Sequence, residues 1–322
     1  MELLRALGAV VEKPDAAVTR LAAMLELPAQ PTAAEWTFLF EHQLPPVASR
    51  YLSADGEDSP PIYERMATYW RAAGASPPSR PDHLGQLLGF YADLVDMQAH
   101  EGDEARRHAV GRLRKTVLWD HLLTWLPGYL TKVDLIAPRA YRRWGQLVWQ
   151  VAAREAWTVG APAAAPAFLA ALRALPGPAH GDVAGLVAHL AAPARSGLIL
   201  APVDLNRAAD AVHTSLPDGP VREALSALVA AREAGMIEWL ATETRRWEAR
   251  HERNCDLLPA LSDHWTRRAH TTRVALQAWT RASTPASTTT AGRGAGAAGR
   301  TRASRRPPAL ARHHGDHTKG LP

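Results

Sequence analysis

Side chains suited to polar recognition concentrate in two otherwise apolar segments. The first, Arg80-Pro-Asp-His-Leu-Gly-Gln-Leu-Leu-Gly-Phe-Tyr91, brings Asp82 and His83 to the expected start of a helix. Pro81 suits a first helical turn, and a carboxylate there favours the helix dipole. The second, Leu118-Trp-Asp-His-Leu-Leu-Thr-Trp-Leu-Pro-Gly-Tyr-Leu-Thr-Lys-Val133, carries Asp120, His121 and Trp125. His121 and Trp125 are four apart, a spacing that predicts one shared helical face, with Pro127-Gly128 breaking the helix just beyond. Such groups can orient a polar ligand by hydrogen bonds without moving a proton. The same residues also fit a plainer set of roles: Asp82 and His83 as caps, His121 as a satisfied core histidine, Trp125 as core filling.

Signatures of catalysis are missing from the sequence. It has no Gly-x-x-x-x-Gly-Lys-Ser/Thr loop, no Gly-x-Ser-x-Gly elbow, no His-Glu-x-x-His and no Gly-x-Gly-x-x-Gly after a strand. A lone cysteine, Cys255, excludes a disulfide framework and a cysteine-based zinc cluster, and reads as a small buried residue. The His313-His314-x-x-His317 group lies in a polar stretch with nothing to orient its ligands, so no metal or other cofactor is expected. The expectation is a binding protein and not an enzyme.

The formal charge of +5 misdescribes the body of the chain. Seven basic residues (Arg293, Arg300, Arg302, Arg305, Arg306, Arg312, Lys319) and one acid, Asp316, fall in 283–322. Removing them from 37 basic and 32 acidic residues leaves 30 and 31, so residues 1–282 carry a net charge of −1. A basic nucleic-acid-binding body is thereby disfavoured. An all-α nucleic-acid-binding regulator using the Arg-rich tail remains the alternative reading. No stretch reaches the roughly 20 apolar residues of a membrane span, and Glu2 and Arg5 interrupt what would otherwise be the apolar part of a leader.

The elements that must position the two segments read as helix after helix. Helices are expected near 15–27, 32–44, 62–73, 81–99, 103–126, 138–157, 163–174, 181–191, 203–214, 219–233, 236–253 and 258–281. Thr32-Ala-Ala-Glu35 is a capping-box pattern, and Gly74 suits the left-handed position after a helix. Gly85, Gly89 and Ala92 line one side of the 81–99 helix, where another backbone could approach. No run of alternating β-branched residues is long enough for a sheet. The fold class expected is all-α, a multi-helix bundle over 1–282, in two parts (about 1–159 and 160–282) divided by the Pro/Gly-rich stretch Gly160 to Gly181. Residues 283–322 read as disordered, being too polar to repay their ordering entropy.

Together the two segments resemble the TorD/DmsD family of redox-enzyme maturation chaperones, relatives of the nitrate reductase delta-subunit chaperones. That family carries a Pro-Asp-His-Leu helix and, further on, a His-x-x-x-Trp-x-Pro segment. Here they stand as Pro81-Asp82-His83-Leu84 and His121-Leu-Leu-Thr-Trp125-Leu126-Pro127. Phe38-Leu-Phe40, the stretch from Pro45-Pro46 through Tyr51 to Gly56, and Tyr69-Trp70-Arg71 to Gly74 resemble the family's preceding helices and loop. Leu87 departs from the pattern, standing where many members carry a glutamate.

The resemblance implies a TorD-like bundle and a cytoplasmic chaperone. Its partner would be the catalytic subunit of a molybdopterin oxidoreductase or that subunit's twin-arginine signal peptide, with cofactor insertion assisted before export. It also implies that Tyr51, Asp82, His83, Asp120, His121 and Trp125 line the recognition region, and that a homodimer could form by helix exchange hinged at Gly160–Gly181. A guanidinium-bearing peptide would need carboxylates beside an aromatic-walled groove. Asp93, Asp96, Glu101, Asp103 and Glu104 are candidates, as are Trp70, Tyr91 and Trp119. The basic run Arg106, Arg107, Arg112, Arg114 and Lys115 follows at once; it could equally pair with those acids across a loop.

Overall fold

The computed structural model describes residues 1–162, 169, 171–172, 175–179, 181–217, 219–231, 233–253 and 258–283. The expected helix at 163–174, the tail with its histidines, and Cys255 lie mostly or wholly outside the described residues. All described residues fall within one compact unit, Met1–Thr284.

The architecture is all-α. In chain order the helices are α1 (Glu2–Val10), α2 (Ala16–Met24), α3 (Ala33–Trp36), α4 (Ala48–Leu52), α5 (Pro60–Ala72), α6 (Leu84–His100), α7 (Glu104–Thr116) and α8 (Leu126–Ile136). There follow α9 (Arg139–Val159), α10 (Val183–Ala191), α11 (Pro193–Ser196), α12 (Pro202–Ala211), α13 (Val221–Ala231), α14 (Glu233–Glu252) and α15 (Pro259–Ser283). Two of them run on into π-helical stretches, α3 into Thr37–Gln43 and α7 into Val117–Leu122. Among the described residues there is no strand, only an isolated antiparallel bridge between Val47 and His83. None of these helices is long and apolar enough to cross a membrane.

Local chemistry explains most boundaries. Thr32 and Glu35 form the expected capping box, and Gly74 follows α5 with φ +79°. Two expectations are corrected. α6 begins at Leu84 and not at Pro81, because residues 82–84 pair with 46–48 instead: Ala48 N–H donates to the Asp82 carbonyl (3.0 Å) and Leu84 N–H to the Pro46 carbonyl (2.8 Å). The helix expected to run to residue 126 ends at Leu122, and Pro127 does not stop it. Pro127 sits in the first turn of α8, where a missing N–H costs nothing. His121 and Trp125 therefore do not share one helical face.

α1, which the periodicity left unassigned, lies against α6 at glycine-to-glycine contact. A Cβ on Gly85 would meet the Gly8 carbonyl at 2.8 Å, and one on Gly8 would meet the Gly85 carbonyl at 2.9 Å. The small side of α6 does admit a backbone at Gly85, whereas Gly89 faces open space. α9 supplies a buried stripe of Tyr141, Trp144, Val148, Ala152 and Ala156, with Phe40 edge-on to Tyr141 and Trp144. A second, largely aliphatic cluster is built from α10 and α12–α15, including Leu186, Leu205, Leu225, Leu228, Met236 and Leu276. Lys132 of α8 and Asp204 of α12, both without solvent exposure, form an ion pair that ties the α8 region to these later helices.

Candidate functional site

The short helix α4 is where the two sequence segments meet. Its sequence, Ala48-Ser-Arg-Tyr-Leu52, offers no side-chain cap of its own, since Val47 stands at the N-cap. Asp82 supplies one from 33 residues away. Its fully buried carboxylate accepts from Ser49 N–H (3.1 Å) and from Ser49 Oγ–H (2.6 Å), and Arg80 Nε–H donates to its other oxygen at 3.3 Å. Asp82 therefore caps α4 and not α6. Arg80 continues to Asp58 at 3.1 Å, and its guanidinium lies 5.8 Å from the centre of the Tyr63 ring.

Two residues further along α4, Tyr51 lies parallel to Trp125, with ring centroids 5.3 Å apart and planes at 4°. Tyr129 closes on both rings edge-on. Polar atoms in this aromatic knot are spent on backbone: Tyr51 Oη donates to the Pro45 carbonyl (2.9 Å) and Trp125 Nε1 to the His121 carbonyl (2.8 Å). Burial pushes the Tyr51 and Tyr129 phenols above their ordinary range, so both stay neutral. A cap of later helices completes the knot: Pro193, Gly197, Ile199, His251 and Trp265 enclose the same small space as Tyr51, Trp125 and Gly128. Trp265 Nε1 donates to the Thr124 carbonyl at 2.8 Å.

His83 and Asp120 are the two of the six that reach toward solvent. His83 is 18% exposed, with Nδ1 3.3 Å from a Glu12 carboxylate oxygen. Burial lowers its pKa, while Glu12 and Asp82 pull it back up. Asp120 is partly exposed, and burial raises its carboxyl pKa against the opposing pull of Arg65. His121, beside it in the π-helical stretch, is buried against the Tyr69 ring (centroids 4.7 Å apart), and its Nε2 has no hydrogen-bond partner. Burial first, and the Arg65 charge second, lower the His121 pKa to about 4, leaving a neutral ring at neutral pH.

The structure thus brings Tyr51, Asp82 and Trp125 together around α4 as buried groups, while His121 is buried against Tyr69 of α5. His83 and Asp120 lie at the margins of two different clusters, one with Glu12 and one with Tyr69. The other carboxylates considered are engaged locally. Asp93 and Asp96 each bind Arg5 at 2.7 Å, Asp103 caps α7, and Glu101 accepts from Asp103 N–H. Trp70 is stacked on Phe90 at 3.9 Å, and Trp119 is buried. Sequence reasoning missed Glu12 and Glu155. Glu155 of α9, largely buried, faces α6 and α7 and accepts from Tyr91 Oη (2.8 Å) and Arg114 (2.5 Å); its signal was an acid beside the apolar stripe of α9. Among the described residues, no group of three His, Cys, Asp or Glu side chains could hold a metal ion.

Comparison with known proteins gives one finding for this region. Residues 10–130 match the family described as nitrate reductase delta subunit, a span that contains α4, both motifs and the α5–α7 helices between them. No curated protein and no solved structure matches the chain.

Proposed function

We propose, from the match of residues 10–130 to the nitrate reductase delta subunit family and the resemblance of both motifs to the TorD/DmsD redox-enzyme maturation chaperones, that this protein binds the catalytic subunit of one molybdopterin-dependent oxidoreductase in the cytoplasm and holds it open for cofactor insertion. The family consists of chaperones and not catalysts. The observation that carries the reading is the family match itself, over the span in which α4 joins both motifs.

Within that reading the six motif residues divide by exposure. His83 and Asp120 present hydrogen-bonding groups to the client, while Asp82, Tyr51, Trp125 and His121 hold the backbone that carries them. A twin-arginine signal peptide is the finer proposal for what the client offers, because guanidinium groups would find a carboxylate at Asp120 and another at Glu12 beside His83.

Affinity capture from native extract with the full chain tests this. The expected result is enrichment of a molybdopterin oxidoreductase catalytic subunit, reduced about fivefold, or by about 1 kcal/mol, in a His83→Ala/Asp120→Ala chain whose melting temperature is unchanged. Equal capture by both chains would remove His83 and Asp120 from the contact. Repeated failure to enrich any such subunit would overturn the client assignment.

A further inference from the structure

Along α7 runs a basic face that neither motif uses. With the end of α9 and Gln98 of α6 it borders a groove of about 420 Å³, lined by Arg107, His108, Arg112, Arg114 and Lys115 and, among the described residues, by no carboxylate. Of the acids expected to neutralise this run, Asp93 and Asp96 bind Arg5, Glu101 and Asp103 are engaged at the start of α7, and Glu104 reaches His108. Arg107 donates to the neutral carbonyls of Glu101 and Gly102, and Lys115 to that of Ala161. Arg112 is exposed. Among the described residues, two of the lining groups meet an acid: Arg114 pairs with the largely buried Glu155, and His108 lies 3.8 Å from the exposed Glu104, a contact that carries charge only when the ring is protonated.

We infer that this groove is a docking surface for an acidic polypeptide segment, one that places successive carboxylates along α7. The cations fall at 107, 112 and 115, which spreads them over about 12 Å of helix. Carboxylates on one face of a partner helix or strand, about 6–7 Å apart, match that spread. A compact phosphate suits the groove poorly. No helix N-terminus among the described residues opens into it, since the α7 terminus is already capped by Asp103. The Thr158 hydroxyl is spent on the Arg154 carbonyl. The surface is separate from the α4 junction and does not depend on which client that junction serves.

Fluorescence anisotropy with a dye-labelled peptide of alternating Glu and Ala, titrated with the full chain at low salt, tests the inference. Saturable binding should weaken about tenfold in Arg107→Glu/Arg112→Glu. It should change at most about twofold in Lys13→Glu/Arg20→Glu, an equal charge change at two exposed positions on the far side of the sequence. Arg112→Glu alone should weaken binding about threefold, which separates the groove from any loosening of the Glu101–Gly102 turn that Arg107 braces. Equal losses in the two double variants, or no saturable binding, would overturn the site. Displacement of the peptide by pyrophosphate at lower concentration than by unlabelled peptide would overturn the polypeptide assignment in favour of a compact anion.

Discussion

At Ser49 the helix α4 is held by a charge, and two residues further on, at Tyr51, it is held by a ring. The Pro81–Leu84 segment reaches α4 through Asp82, which accepts two hydrogen bonds from Ser49 and one from Arg80. The His121–Pro127 segment reaches it through Trp125, which stacks on Tyr51 and donates its only N–H back to its own segment. The first attachment depends on direction and ionisation, the second on area and shape. One five-residue helix could not fold alone, so each motif is structural before it can be a recognition element.

The aromatic attachment should be the costlier to lose. Trp125 is 1% exposed, and Trp125→Ala is expected to destabilise the fold by about 3–5 kcal/mol, read from urea unfolding. Trp125→Phe, which keeps the ring against Tyr51, should recover more than half of that. If Trp125→Ala cost less than 1 kcal/mol or so, the ring would be a recognition surface and the comparison between the two attachments would fail.

The charged attachment ranks next. Asp82→Ala strands the Ser49 N–H inside the protein and removes the α4 cap, an expected loss of about 2–3 kcal/mol. A double-mutant cycle with Ser49→Ala should show coupling of about 1 kcal/mol, the share of the Oγ–H bond, because the residue-49 N–H and Arg80 still bond Asp82 in Ser49→Ala. Additive losses would mean that Asp82 acts through that N–H and Arg80 and not through the hydroxyl.

These weights were only partly legible in the sequence. The helical periodicity located α2, α5, α9 and α12–α15 closely, because each buries one stripe. α8 was missed because Pro127-Gly128 looks like an ending, yet proline is harmless in a first turn. The start of α6 was placed three residues early. What holds residues 82–84 off the helix is pairing with 46–48, a tertiary choice that leaves no trace in local propensity. For the site, residue types and the family resemblance picked out Asp82, His121 and Trp125. Neither could say that these three point inward, since an Asp-His pair at a helix start has the same spacing whether it caps a distant helix or meets a ligand. Glu12 and Glu155 were missed because their partners lie 71 and 41–64 residues away in sequence.

Acid should separate the two motifs by their histidines. The His121 pKa is lowered to about 4 from the ordinary 6.5, chiefly by burial. Between these values the unfolded chain binds the extra proton, so stability is complete above pH 6.5 and is lost as pH falls toward 4. At pH 5 this group alone should have removed about 2 kcal/mol. Burial lowers the His83 pKa too, but Glu12 and Asp82 stabilise its imidazolium, which shrinks its share of the loss. His189 and His251, lowered to about 3 and about 4, add an acid-sensitive background common to every variant. The informative comparison is therefore between chains. Because His121 Nε2 has no partner, His121→Leu should leave stability near wild type at pH 7 and lose about 2 kcal/mol less on going to pH 5. His83→Leu should change that acid loss far less. If the two leucine variants showed equal acid losses, burial would weigh the same on both rings, and the polar attachment would be as dry as the aromatic one.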